Sequence, residues 1–505
     1  MKKRMLINAA IITAASLFLR ILAITVNVYI SDKIGAEGMG LYQLILSVFM
    51  MPKIFVVSGI SLAVTRLMSE EKKHLRSDWA ILKHSFNLSL ILSVIGFAVL
   101  YFGAGFFGNV ILKDERTILS LRVLAPSMPF MAISAVYKGY FFAERKAFEP
   151  TAAQVFEQIS EFVCIIIFFA FYKPISLEDA SAVIVFVITF SEIMSALFLH
   201  VSYKLEKRGS RGRRNTQKGI MKRLIKITMP VSTSACIRSA LKTAENVMIP
   251  QGLLKYGASY KTSLEEYGII TGMAMPLIFF PSVLISSFST LLVPELSEAN
   301  AQNHQKRIKY IVTTVLFYTS ILTTLVTGIY IVFADELGMA VYESVNVGRV
   351  LRFLAPLIPF IYFDMIVDGM LNGLDLQVSS LRYNIIDSCV RIVLIYYLIP
   401  LKGVWGYIIV LFVGSILNTF LSIRSVLRVS NIKVDFKTWL LKPVLAVAAA
   451  FAVVSILPIA VADIKMTLTI HIILICVFYF VFLLILGCIT KRDILWFFSF
   501  FKNRG

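Results

Sequence analysis

Cysteine is scarce in this 505-residue chain, and all five (Cys164, Cys236, Cys389, Cys476, Cys488) fall inside long apolar stretches. That placement excludes an extracellular disulfide framework, and the lack of any Cys-x-x-Cys excludes the common zinc ligand sets. The five histidines (His74, His84, His200, His304, His471) are scattered without metal-ligand spacing. Asp-x-Asp and Walker-type signatures do not occur. Apart from 204–226, no segment between apolar stretches exceeds about 20 residues. Membrane enzymes that build polymers usually carry a sizeable extramembrane region, and this chain has no room for one; the composition predicts a non-enzyme without a cofactor. The short alternating segments of a β-barrel are missing as well. Acidic residues are few, 30 against 50 Lys and Arg, for a net charge of +20.

What the chain has in excess is apolar length. Hydrophobic residues make up 58% of it and the mean hydropathy is +0.80, against roughly 45–50% apolar for a soluble domain. A helix needs about 20 apolar residues to cross the hydrocarbon core. Fourteen stretches suit that length, near 5–30, 41–65, 84–106, 118–142, 152–172, 180–201, 225–249, 267–292, 310–333, 350–372, 379–399, 404–424, 440–461 and 466–489. The expectation is an all-α polytopic membrane protein. Counting each connection with its flanking residues, alternate connections carry 33 basic residues on one side and 9 on the other. The rich side holds both termini, 66–83, 202–226 and 424–442, and so is expected to face the cytoplasm across the cell membrane. The charge therefore reports topology and not nucleic acid. The first stretch follows Met-Lys-Lys-Arg, but its length, internal Arg20 and lack of a small-residue cleavage site read as a retained span. The four tryptophans (Trp79, Trp405, Trp439, Trp496) sit at expected span ends, as interfacial anchors do.

A ten-residue phrase occurs twice. Leu-Arg-Val-Leu-Ala-Pro-Ser-Met-Pro-Phe runs from Leu121 to Phe130, and Leu-Arg-Phe-Leu-Ala-Pro-Leu-Ile-Pro-Phe from Leu351 to Phe360. Seven of ten positions are identical at an offset of 230, and Gly139 then meets Gly369, Glu157 meets Asp387 and Ile165 meets Ile395. This predicts two pseudo-symmetric six-helix halves, 1–203 and 227–428, joined by a basic cytoplasmic linker, 204–226, with an appended helix pair and tail in 429–505. In membrane proteins such repeats belong above all to transporters that rock one half against the other. Arg20 and Thr25 align more weakly with Arg238 and Thr243.

Thirteen ionisable residues lie at membrane depth: Arg20, Lys53, Lys138, Glu157, Glu161, Glu192, Arg238, Lys242, Glu245, Asp364, Asp368, Asp387 and Arg391. Each costs about 2.5–3.5 kcal/mol at a helix centre on the insertion scale, so most must pair or line a hydrated cavity. Arg238, Lys242 and Glu245 share one helix face, and so do Asp364, Asp368 and Asn372. Asp387 and Arg391 read as a local i,i+4 ion pair, more structural than functional. Lys53, beside Pro52, has no local partner and reads as a cavity residue, whereas Glu192 stands alone and reads as a bond to a neighbouring helix. Lys138 and Asp368 are repeat-equivalent with opposite charge, which suggests a pairing; both, with Glu157, Glu161, Glu245 and Asp364, are candidate coupling or gating residues. The cluster Gly35-Ala-Glu-Gly38-Met-Gly40 has the wrong spacing for a dinucleotide fingerprint and reads as a flexible external turn.

The segment Ile34-Gly-Ala-Glu-Gly-Met-Gly-Leu-Tyr-Gln-Leu44 resembles the first external loop of the multidrug/oligosaccharidyl-lipid/polysaccharide (MOP) exporter superfamily. With the basic start, Arg20, the Leu-Ala-Pro-x-x-Pro-Phe phrase and the span count, the whole chain resembles its polysaccharide-biosynthesis branch, the stage V sporulation protein B-like flippases, related to lipid II flippases. The resemblance implies a flippase that moves undecaprenyl-linked sugars, such as peptidoglycan precursor, to the outer leaflet by alternating access, acting as a monomer. It implies that Arg20, Lys53, Arg238 and Lys242 form a cationic cavity for the pyrophosphate. Charge-assisted hydrogen bonds to a desolvated diphosphate demand the same residue types. Coupling to Na⁺, H⁺ or membrane potential stays open. The membrane-depth carboxylates leave a cation-coupled multidrug or metabolite antiporter as the alternative.

Overall fold

The computed structural model describes residues 2–72, 78–207, 219–430, 432, 437–457 and 464–489. Residues 208–218 of the expected linker 204–226, Trp496 and the C-terminal tail lie outside these. Among the described residues the protein is helical, with no strand. Its helices are α1 (Lys2–Lys72), α2 (Asp78–Phe106), α3 (Thr117–Leu124), α4 (Ser127–Ala143), α5 (Phe148–Phe171), α6 (Leu177–Lys207), α7 (Ile220–Tyr256), α8 (Tyr260–Tyr267) and α9 (Met275–Phe279). They continue with α10 (Ser282–Ala301), α11 (Gln305–Val332), α12 (Ala334–Tyr342), α13 (Val345–Leu354), α14 (Ile358–Gly373), α15 (Gln377–Lys402), α16 (Val404–Ser430), α17 (Lys442–Ile456) and α18 (Ile464–Ile485). Packing divides them into two compact units, residues 1–272 with 395–401, and residues 273–394 with 402–505. Contact thus groups α7 with the first unit, whereas the sequence repeat opens its second half at 227.

Among the described residues, eleven helices are long and apolar enough to cross a membrane, or twelve if the bent pair Tyr260–Phe279 and Ser282–Ala301 is one span. The expected count of fourteen is not reached by this measure, for identifiable reasons. The first two expected spans are one continuous helical run, Ala15–Glu70, interrupted only at Gly35. The expected span 225–249 lies within α7, which carries Arg238, Lys242 and Glu245 and does not pass. Pro52 does not interrupt α1: non-helical backbone occurs only at Gly35, with φ 67° and ψ −174°. A residue with a Cβ adopts that φ rarely, so glycine is what lets the chain reverse there.

The glycine cluster is not a flexible turn. Ile34, Gly38, Met39, Gly40 and Leu41 are buried, and a Cβ on Gly40 would overlap the Leu264 carbonyl while one on Gly268 would overlap that of Ala36. Two backbones meet there with no side chain between them. A polar tie closes the same end of the first unit. The Asp114 carboxylate, whose side chain is 4% exposed, accepts hydrogen bonds from Arg116 Nε (3.0 Å) and Nη2 (2.8 Å) and from the Tyr260 hydroxyl (2.7 Å). Arg116 Nη1 reaches Glu37 at 2.9 Å. Its hydrogen bonds to Asp114, then those to Glu37, raise the guanidinium above its ordinary pKa, so the tie keeps its cation.

The repeated phrase folds the same way in each unit. In the first, α3 ends at Leu124 and α4 begins after Pro126; in the second, α13 ends at Leu354, one turn of tighter helix covers Ala355–Leu357, and α14 follows. Proline has no amide to donate and clashes with the preceding turn, so each phrase breaks its helix. Downstream, a Cβ on Gly139 would come within 2.7 Å of the Ser61 carbonyl in the first unit, and Gly369 is packed against Ser289 in the second. The second unit also holds the break at Pro281. The hydroxyls of Tyr330 and Tyr362, from α11 and α14, donate to the carbonyls of Leu277 and Ile278, each at 2.7 Å. Backbone carbonyls released by a kink at membrane depth need such partners.

Two stability outcomes are expected. Arg116→Ala strands a buried carboxylate and should cost about 3 kcal/mol, while Arg116→Ala combined with Asp114→Ala should cost less than the sum of the single changes; denaturant unfolding in detergent reads both. Gly40→Ala should lower the thermal midpoint, whereas Gly105→Ala, where a Cβ meets nothing within 4 Å, should be neutral or stabilising by up to about 1 kcal/mol.

Candidate functional site

The helix pair α1–α7 sets the depth of the cationic residues in the first unit. The Thr243 hydroxyl donates to the Ser47 carbonyl at 2.7 Å, and Gly59 lies against the Thr228 carbonyl. These antiparallel contacts put Lys53, midway between Ser47 and Gly59, level with the α7 turn containing Cys236 and Arg238. Arg20 precedes the Gly35 break by 15 residues and Lys53 follows it by 18, about 22 and 27 Å along the helix at 1.5 Å per residue. Asn27 Nδ2 donates to the Gly272 carbonyl at 2.9 Å and Gln43 lies against Gly272 as well, so the chain doubles back at Gly35 and Arg20, Lys53 and Arg238 stand at comparable depth. Arg238 and Lys242 are exposed, while Arg20 and Lys53 are half-buried.

Lys53 does have a partner. Its Nζ lies 3.2 Å from Glu192 Oε1 of α6, with the lysine side chain 29% and the glutamate 7% exposed. Lys53 also sits over the Phe49 ring at 5.6 Å. The two residues that read as solitary in sequence are thus one ion pair, joined across 139 residues. Glu157 and Glu161 of α5 stand within electrostatic reach of the pair, and Lys138 of α4 within reach of Glu157. Gln158 donates to Glu161 Oε2 at 3.0 Å. Lys242 reaches back to Glu245 Oε2 at 3.0 Å, its own side chain 58% exposed and the glutamate 3%. Arg238 forms no ion pair among the described residues.

The second unit holds a separate polar cluster. Asn418 Nδ2 donates to both oxygens of Asp364, at 3.1 and 3.0 Å, and lies 3.4 Å from Asn384 Oδ1. The Ser380 hydroxyl donates to Asp368 Oδ1 at 2.7 Å. Asp387 and Arg391 form the expected i,i+4 pair, at 2.8 Å, and Arg391 Nη2 reaches the Ser415 hydroxyl at 3.3 Å. Asn384 and Asn418 were not singled out in the sequence; a lone asparagine in an apolar span such as 404–424 is the signal that could have found them. Lys138 and Asp368 fall in different units, and each has close neighbours in its own. Groups of three or more His, Cys, Asp or Glu able to hold a metal are absent among the described residues.

At the basic end of the first unit, Lys146 Nζ pairs with Glu206 Oε1 at 2.8 Å. This hydrogen bond raises the Lys146 pKa. Glu206 also accepts from the Tyr140 hydroxyl at 3.3 Å, and Tyr137 meets His200 Nδ1 at 2.5 Å. Arg223 of α7 reaches Glu70 of α1 at 2.8 Å.

Known proteins share both sequence and fold with this chain. Stage V sporulation protein B of Bacillus subtilis is 27% identical over 461 residues, covering 89% of each chain. Sporulation protein YkvU of the same organism is 22% identical over 434 residues, 84% of this chain and 95% of that one. Among solved structures, the lipid II flippase MurJ in an inward closed conformation superposes with a TM-score of 0.71 at 17% identity, over 96% of this chain and 99% of that one. An inward-facing multidrug resistance MATE family transporter of the MOP superfamily gives 0.63 at 16% identity, over 84% and 100%. The fold is that of MurJ and the MATE transporters, and the protein is a multi-pass membrane protein. A sequence profile for polysaccharide biosynthesis proteins matches residues 5–300, more than half of the chain, and the chain belongs to that family.

Proposed function

We propose that this protein is a flippase that carries an undecaprenyl-linked oligosaccharide, peptidoglycan precursor or a close chemical relative, from the inner to the outer leaflet by alternating access. The observation that carries the reading is the shared depth of Arg20, Lys53 and Arg238 in the first unit. A pyrophosphate is a dense anion that sheds water only where fixed cations replace its hydration, and arginine forks and a lysine supply such donors. Lys242, largely exposed beside Glu245, adds a fourth cation. The similarity to MurJ and stage V sporulation protein B supports the same reading. The sugar-bearing lipid and the surrounding membrane lipids are the partners, the acting species is a monomer, and no step requires a cofactor or a covalent change. Glu157, Glu161, Glu245, Asp364, Asp368 and Lys138 are the coupling or gating groups of this scheme.

A cation-coupled antiporter is the second reading, and one observation favours it. Asp364 is held by an amide, Asn418, and forms no ion pair among the described residues, which leaves its charge available to a cation.

Proteoliposome assays with a fluorescent lipid-linked oligosaccharide separate these readings. Arg20→Ala and Arg238→Ala should abolish movement of the probe while the protein inserts and folds, and the Lys substitutions should keep part of it, since charge remains but the planar fork is lost. Wild-type rates in both alanine variants, or cation-dependent drug efflux with no movement of the lipid probe, would remove the flippase reading. On topology, both termini are assigned to the cytoplasm. Ser210→Cys, outside the described residues, should react with an impermeant maleimide only after cells are opened; labelling of intact cells contradicts the assignment.

A further inference from the structure

We propose that Glu192 links anion binding to proton uptake: when an anionic phosphate group draws Lys53 away, the Glu192 carboxylate left behind takes a proton from the cavity water. This rests on the cationic-cavity reading above and adds to it a residue and a linkage.

The geometry that makes it so is the asymmetry of the pair. Lys53 is 29% exposed and carries its charge on a flexible four-carbon stem, so it can turn toward a ligand. Glu192 is 7% exposed on α6 and cannot follow. The groups around it do not replace the lysine. From α5 come two more carboxylates, Glu157 and Glu161. From α4 comes Lys138, within reach of Glu157. From α1 comes Tyr42, beside Glu161, as well as Lys53 itself. The α3 helix presents the Val123 carbonyl, already taken by the Thr189 hydroxyl at 3.0 Å. Along α6, His200 is held by Tyr137. Three carboxylates thus share two ammonium groups at membrane depth, and once Lys53 serves the anion they share one.

A buried carboxylate stripped of its partner is costly, and neutralisation relieves that cost. The balance is simple: Glu192 passes from carboxylate to carboxylic acid with one proton gained from water, and Lys53 keeps its proton and charge throughout. Linkage is reciprocal, so protonation must raise anion affinity by the same factor that the anion raises proton affinity.

The test uses the full-length protein in lipid nanodiscs and a water-soluble pyrophosphate diester, UDP-N-acetylglucosamine, whose phosphates do not titrate near neutrality. Calorimetry in buffers of different ionisation enthalpy counts the protons taken up on binding. Wild-type protein should take up a fraction of a proton approaching one, and its affinity should fall as pH rises, by at most about tenfold per pH unit for a one-proton linkage. Glu192→Gln copies the protonated form and frees Lys53. It should bind the diester more tightly than wild type at alkaline pH, by about tenfold, with no proton uptake and an affinity that no longer follows pH. A gain in affinity is not an outcome that misfolding can produce. Lys53→Gln should bind weakly and also lose the proton uptake. Binding by wild type with the same proton count as Glu192→Gln overturns the linkage and leaves the anion cavity standing. No binding by wild type overturns both.

Discussion

Hydrocarbon solvates neither an isolated charge nor a free backbone carbonyl, and thirteen ionisable side chains of this protein sit at membrane depth. How each of them is satisfied decides most of what the structure looks like inside. Asp387 closes on Arg391 one turn away; Asp364 and Asp368 rest on amide and hydroxyl donors. Lys53 reaches across to α6 and Glu192. The two kinds of solution differ in consequence. A short-range pair on one helix is closed within that helix and has little reason to open. A pair between helices, with one partner buried and the other half-exposed, is held by geometry that a ligand can compete with.

The same requirement governs the backbone. Every break in a spanning helix frees carbonyls, and at Pro281 two tyrosines supply the missing donors. At Gly35 the chain reverses by a single glycine of positive φ, and the helical run resumes at once. The residues that follow, from Ala36 to Gly40, then pack backbone to backbone against 264–268, an approach that only side-chain-free positions allow. The tie of Glu37, Arg116, Asp114 and Tyr260 lies beside this contact. Rigidity at this corner is thus built twice, once from shape and once from charge, and the long helices on both sides of Gly35 hang from it.

What the sequence made legible was what repeats or what is local. The Leu-Ala-Pro-x-x-Pro-Phe phrase is visibly repeated, and both copies fold as a short helix, a break and a longer helix with a packed glycine after it. The spacing of Asp387 and Arg391 announced their pairing. Lys53 with Glu192 was not legible, because no periodicity relates residues 139 apart on different helices. The count of fourteen is not reproduced by length and apolarity alone, because the two stretches joined at Gly35 form one helical run and α7 carries a charged face. The glycine cluster was misread for a related reason: glycine marks both flexibility and close packing, and only the neighbouring backbone tells which.

The placement of α7 bears on how such a chain could move. By sequence it opens the second repeat, yet its contacts are with α1, through Thr243 and Ser47 near one end, Gly59 and Thr228 farther along, and Arg223 and Glu70 at the basic end. Three separate contacts along one helix pair resist bending of either member alone. Arg238 and Lys242 therefore keep their depth relative to Lys53 as long as α1 and α7 stay together. On the flippase reading proposed above, Arg238 and Lys242 are the fixed cations and the adjustable element is the side chain of Lys53, held by a buried carboxylate. A ligand of that site would have one local equilibrium to shift, the opening of a single ion pair.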